Sequence, residues 1–463
     1  MTASDLAFAT IAEVAPRIEA GEISPVELTE LALDRITQRD TQLNAYITVM
    51  ADAARRTSER AAAAIKAGQY LGPLHGIPVA VKDLFATSGV RTTFGSPLFA
   101  DWVPDYDAAA VERLNAAGAI VLGKTNLHEL AYGTTSSNAH YGAVRNPWHL
   151  ECHPGGSSGG SGAAVADGLA MAALGSDTGA SIRQPAACCG LVGLKPTFGR
   201  ISKFGALSLS WSMDHVGPMT RSVEDAALML QVLAGHDARD PTCMRRSIPD
   251  YRESLTKTIR GCKLGVARQF FFEDCDPEVE AAVENAVHVL RDLGAIIVDV
   301  ELPDMWVCHR MGSLIIAVEG AAYHADALRT RPEKFSDEML TSFGLGNFYT
   351  GVQYVQAQRL RRHLTVETQK RFESFDALIT PTSPVPTTRI ADDPPGHALL
   401  RSRNTLPFNF TSLPAISVPC GFTGGGLPIG VQITGKAFDE QSMLRIAYAY
   451  EQATSWHHQH PPQ

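Results

Sequence analysis

The segment Pro154–Ala187 (PGGSSGGSGAAVADGLAMAALGSDTGASIRQPAA) constrains the fold of this chain more than any other. A run this rich in glycine and serine would ordinarily be a loose linker. Here two serine-bearing glycine turns, at Ser157 and Ser181, flank Ala163–Leu174, which is almost wholly small and apolar. Glycines at a strand-to-helix junction let backbone N–H groups approach a reacting group closely. Two hydroxyls beside such junctions point to acyl-transfer chemistry.

The length of 463 residues fits either a large single α/β unit or two to three average domains. With 45% hydrophobic and 19% charged residues, the chain has the means to bury a large core. Its formal net charge of −9 disfavours nucleic acid as a partner, since phosphate backbones reward basic surfaces. The N-terminus lacks a basic stretch followed by an apolar core, and no apolar window reaches the ~18 residues of a membrane span. Neither a signal peptide nor a membrane helix is therefore expected. Eight irregularly spaced cysteines make no disulfide framework, and Cys188-Cys189 in an apolar run are expected as buried free thiols. A reducing cytoplasm is the expected setting.

The first ~70 residues read as helices, with Ser24-Pro-Val-Glu27 offering a capping box and Val26, Leu28, Leu31, Ala32 and Ile36 an apolar face. Short apolar strands then alternate with helices. Strands are expected at Ile77–Val81, Ala119–Leu122, Met171–Leu174, Ala295–Val300, Ala377–Thr380, Ala415–Val418 and Ile429–Ile433. Helices are expected at Ala108–Ala117, from Gly162, from the Ser222 cap to Leu233, and at Glu278–Leu293, Val352–Phe372 and Gln441–Ala453. Residues Pro241–Leu255 and Arg329–Tyr349 show weaker periodicity, and Ile390–His397 reads as a surface loop. The alternation predicts an α/β fold, a mixed twisted β-sheet with helices on both faces.

A serine hydroxyl is a weak nucleophile and needs a base in hydrogen-bond reach. Histidine usually serves; a lysine serves only when it is held neutral by burial or a positive field. Lys82 ends the apolar strand at Ile77–Val81, a plausible burial site, although a lone strand-end lysine is ordinarily a solvated charge. Gly155-Gly-Ser-Ser-Gly159 and Gly156-Ser-Ser-Gly-Gly160 also fit the nucleophile elbow of α/β-hydrolases, a weak match inside a glycine-serine run. A phosphate-binding loop fits less well, since no Gly-Lys-Ser/Thr follows the glycines. His457, His458 and His460 lack the spacing of a zinc motif, and His75 and His128 read as hydrogen-bonded structural residues. No metal site or cofactor is expected. Trp211, Phe270–Phe272 and Tyr349 fit core packing better than an acyl pocket.

The same stretch resembles the signature of the amidase signature family, serine hydrolases that cleave amides and related acyl bonds. Gly76-Ile-Pro-Val-Ala-Val-Lys82-Asp83 is similar to that family's lysine strand, and Gly123–Glu129 and Arg145–Trp148 to its connecting segments. Cys189–Thr197 and Leu413–Pro419 resemble its later core. The resemblance implies one amidase signature domain over 1–463: a helical part at 1–70, a catalytic core at 71–240, a variable pocket region at 241–400 and a core return at 401–463. It implies a Ser-Ser-Lys triad of Lys82 as base, Ser157 as bridge and Ser181, in Ser181-Ile-Arg183, as nucleophile. Ser157 would bridge through what is often a cis peptide bond in this family. Backbone N–H groups of Thr178, Gly179, Ala180 and Ser181 would form the oxyanion hole. Ala131 and Tyr132, with Thr178, Gly179 and Ala180, would contact a small amide or carbamate, and Asp177 with Arg183 would hold the loop as a structural ion pair. A homodimer is left open.

The family usually carries glycine where this chain has Ala180. If that position needs positive φ, alanine costs on the order of 1 kcal/mol and puts a methyl near the oxyanion, narrowing or weakening activity; otherwise Ala180 simply tolerates the geometry. Segments Gly193–Gly199 and Val223–His236 also look like glutamine amidotransferase A subunits, which make ammonia for a partner enzyme. Those typically place an acidic residue shortly before the late Pro-Phe-Asn segment, whereas here Arg401-Ser-Arg-Asn404 precedes Thr405–Asn409. That departure favours a stand-alone hydrolase of neutral or aromatic amides or of carbamates. A non-catalytic family member, its site decayed through Ala180, is a third alternative.

Overall fold

The structure, a computed structural model, describes residues 2–394 and 396–462. Its strands are β1 (Tyr46–Val49), β2 (Pro78–Lys82), β3 (Ile120–Thr125), β4 (Ser137–Asn138), β5 (Gly142–Ala143), β6 (Ala172–Asp177), β7 (Val192–Lys195), β8 (His215–Thr220), β9 (Lys263–Val266), β10 (Ile296–Asp299), β11 (Ala377–Pro381), β12 (Ala415–Phe422) and β13 (Pro428–Thr434). One 11-stranded sheet runs in the order β1-β3-β2-β6-β8-β7-β12-β13-β11-β9-β10, and β4 with β5 makes a separate hairpin. The sheet is mixed: β3-β2-β6 and β11-β9-β10 pair in parallel, and the joints between these blocks are antiparallel.

Both faces of the sheet are covered, and the strand sequences show it. Val79 and Val81 of β2, Val121 of β3, and Ala172 and Leu174 of β6 enter one hydrophobic cluster. The intervening residues Ala80, Ile120, Leu122 and Ala173 enter a second cluster with Ala163–Ala166. Alternate side chains point to opposite faces of a strand, so strands buried on both faces read as continuous apolar runs.

The glycine-serine stretch folds into this core. Helix Gly159–Ala166 and helix Arg183–Cys189 are buried throughout, each following one of the serine turns. At Gly160 a Cβ would lie 2.3 Å from the Asn126 carbonyl oxygen and 2.5 Å from that of Ala45, so only glycine permits the contact. Composition alone suggests a linker; close backbone approach explains the glycines instead.

The expected strands and helices are present with ends shifted by a few residues. Several features differ. Tyr46–Val49 is a strand within the N-terminal helical part. Ser24 accepts from Val26 N at 3.2 Å and the reciprocal Glu27 arm does not form, so this end has a simple serine cap and not a capping box. Strand β8 was not legible because Gly217 and Pro218 interrupt its pattern, each being unfavourable within a sheet. Helix Met305–Tyr323 was missed because residues around much of its circumference are buried, which erases helical periodicity. Of the expected loop Ile390–His397, Ile390–Asp392 form a 3₁₀ turn, His397 begins helix His397–Arg401, and Pro395 lies outside the described residues. All eight cysteines are free.

The contact at Gly160 makes the first prediction. Gly160→Ala should destabilise the protein by about 1–3 kcal/mol, because two backbone carbonyls must move to admit one methyl. Urea unfolding reads this directly, and an unchanged midpoint would show that the helix sits looser than described.

Candidate active site

The parallel strands β2 and β6 end side by side, in register through Val81 and Leu174. Clefts in such sheets open beyond the carboxyl ends of the strands. Lys82 closes β2 there, fully buried, and Ser176 and Asp177 close β6. The Lys82 Nζ donates to the hydroxyls of Ser157 at 2.8 Å, Ser158 at 2.9 Å and Ser176 at 2.9 Å. The Gly156–Ser157 peptide is cis.

Among the described residues, no carboxylate pairs with this amine. Asp83, next in sequence, is engaged by Lys124 at 3.1 Å, and Asp177 by Arg183 at 2.9 Å. Burial therefore dominates and lowers the Lys82 amine to about 7, against weaker upward pulls from Asp177 and Asp214. Ser158 donates its own proton to the Ser176 carbonyl at 3.2 Å. A neutral Lys82 has one lone pair, so the hydroxyl proton it accepts must come from Ser157 or Ser176.

The loop after β6 is braced from below. Arg183 binds both Asp177 oxygens and reaches Thr405 O, Gln432 Oε1 and Asn409 Oδ1. Burial works against the Asp177 carboxylate, yet the Arg183 guanidinium holds it below the usual range. Asp177 also accepts from Ile182 N at 3.1 Å. Above this brace, none of the N–H groups of Thr178, Gly179, Ala180 and Ser181 donates a hydrogen bond among the described residues. Four consecutive free donors at a turn suit a developing oxyanion.

These four residues line a cavity of about 140 Å³ together with Ala131, Tyr132 and Leu406. Leu130 and Ala131 have φ of 50° and 62°, the left-handed region that non-glycine residues seldom occupy. Strain of this kind collects at functional sites, and here it turns the Ala131–Tyr132 backbone toward the cavity.

The profile of the Amidase family matches residues 27–444. The chain belongs to the amidase family. It is 43% identical to the A subunit of a glutamyl-tRNA(Gln) amidotransferase of Geobacter metallireducens, covering 97% of this chain and 98% of that one. Its fold is similar to a chain from a vestigial protein complex tied to the evolutionary origins of an s-triazine catabolic enzyme. That match has a TM-score of 0.92 and 35% identity over 96% of this chain and 98% of that chain. The peptide amidase of Stenotrophomonas maltophilia is also similar, with a TM-score of 0.85 and 32% identity over 96% and 97% of the two chains.

In this chain the residues singled out in the sequence gather in one place, with one link open. Lys82 and Ser157 are hydrogen-bonded, while Ser181, a buried residue at the cavity, has a hydroxyl with no hydrogen bond among the described residues. Ala131, Tyr132, Thr178, Gly179 and Ala180 all line the cavity. Phe270 and Phe271 pack in the core, and Trp211 lines a neighbouring cleft of about 400 Å³. Sequence reasoning missed Ser158 and Ser176 as partners of Lys82. Ser176 was findable, since it ends the strand beside Lys82 just before Asp177. It also missed the far wall, where Ile316, Glu338, Ser342 and Ser402 come from helices distant in sequence.

Of the two alternatives at Ala180, the backbone favours the tolerated one. It is not among the residues with positive φ, so the alanine carries no left-handed strain, and its buried methyl joins the cavity wall. Ala180→Gly should then lower stability by about 0.4–1 kcal/mol through the freer unfolded chain. A gain in thermal stability would show that the alanine is strained after all.

Proposed function

We propose that this amidase hydrolyses the C–N bond of small neutral or aromatic amides, or of carbamates, through a Ser181 acyl-enzyme. The observation that carries the reading is a lysine amine with no carboxylate partner among the described residues, poised near neutrality and hydrogen-bonded to Ser157. Neutral Lys82 accepts the Ser157 proton as Ser157 accepts that of Ser181, and Ser181 Oγ attacks the carbonyl carbon. The N–H groups of the Thr178–Ser181 turn stabilise the tetrahedral oxyanion. Its collapse breaks the C–N bond, and the proton returns through Ser157 to the departing amine. Water then attacks the acyl-enzyme by the same relay, releasing the acid and restoring Ser181.

The similarity to amidotransferase A subunits supports a second reading, in which the ammonia released from glutamine passes to a partner protein. Rates on para-nitroanilides, carbamates and glutamine separate the two. Faster turnover of glutamine than of every other amide would favour the amidotransferase role.

Ser181→Ala should reduce kcat by about 10⁴ or more, as removal of a nucleophile does in other serine hydrolases. An acyl-trapping inhibitor should label Ser181, and an adduct on Ser157 or Ser158 would overturn the assignment. Activity should rise with pH through about 7, as Lys82 loses its proton, and then level off. Lys82→Arg should be inactive at every pH, because guanidinium keeps its proton. A substantial residual kcat in Lys82→Arg would make Lys82 a structural charge.

A further inference from the structure

The cavity beside Ser181 is lined by small, hydroxylic and aliphatic side chains, with one charge among the described residues. That charge is Glu338, in the first turn of helix Asp337–Phe348. Its side chain is 58% exposed, which puts it at the mouth, and it is anchored to His128 Nε2 at 3.2 Å. Burial disfavours its ionisation, yet His128 keeps the carboxyl below its usual range. The same helix is tied to the core again where Ser336 N donates to Glu129 at 3.2 Å.

Its partner His128 lies outside the lining, and among the described residues no lysine or arginine lines the cavity. Ser402 reaches the lining; its neighbour Arg401, itself buried, is held by Asp393 and Thr388 and meets the lining at the Thr134 hydroxyl, 3.5 Å away. Arg403 turns to the Glu273 carbonyl and lies near the Trp306 ring. A substrate group at this mouth therefore meets a fixed negative charge and a carboxylate acceptor.

We propose that Glu338 is a specificity residue that favours amides presenting an ammonium or N–H donor group at this mouth and disfavours those presenting a carboxylate. The inference rests on the reading that this cavity receives the amide. A carboxylate there would face like charge with no arginine to receive it, whereas an amine gains a charge-assisted hydrogen bond.

Two para-nitroanilides of matched length test it: γ-aminobutanoyl, which ends in an ammonium, and glutaryl, which ends in a carboxylate. Their affinities are measured by calorimetry on the Ser181→Ala protein, so that binding is read without turnover. The amine probe should bind at least about fivefold tighter, the scale of one partly solvated charge contact. Adding Glu338→Gln should bring the two affinities together, and adding Glu338→Lys should reverse the order. Equal binding in Ser181→Ala, no measurable binding of either probe, or a preference untouched by Glu338→Gln would overturn the proposal. If the wild-type protein binds selectively but hydrolyses neither probe, the hydrolase reading fails and the Glu338 assignment stands.

Discussion

Everything at this site depends on a lysine amine placed inside the protein with no counter-charge paired to it among the described residues. Lys82 is fully buried and its partners are three neutral hydroxyls. A paired ammonium would be a stable charge and useless as a base; an unpaired one gives up its proton near neutrality. The surrounding charges are arranged to keep it unpaired, because Lys124 occupies Asp83 and Arg183 occupies Asp177. The arrangement has a stability consequence. With the amine at about 7 in the fold and 10.5 in the open chain, the unfolded state binds more protons between these values. The cost of holding Lys82 is thus largest below about 7 and fades as pH rises toward 10.5.

The mixed sheet supplies the geometry for this chemistry. Parallel pairing of β2 with β6 brings Lys82 level with the end of Leu174–Asp177, so the amine and the donor loop share one edge. The buried helices after each serine turn fix the turns from behind, and the Arg183 network joins the loop to Asn409 and Gln432, far along the chain. Rigid elements of this sort hold reacting groups in place at no cost during the reaction.

What the sequence disclosed follows the range of the interactions. Lys82, Ser157 and Ser181 lie in short motifs with distinctive neighbours, and the five cavity residues named from the resemblance all reach the cavity. The strands β2, β3 and β6 were legible because burial on both faces makes them unbroken apolar runs. Ser158 and Ser176 escaped notice because their role depends on side-chain direction around one amine, which spacing does not encode. Glu338 escaped because it lies some 157 residues beyond Ser181 in a weakly periodic stretch, and only tertiary packing brings its helix to the cavity. Strain at Ala180 stayed open in the sequence for a related reason: a residue's identity does not state its φ, and here φ is not positive.

The most direct test of this account is the titration of Lys82 itself, followed by heteronuclear NMR of side-chain-labelled lysines, with Lys82→Met used to assign the resonance. The account predicts that the resonance missing from Lys82→Met titrates at about 7, well below the ordinary lysine value of 10.5. A Lys82 resonance that stays protonated to pH ~10, in the range of ordinary lysines, would contradict it.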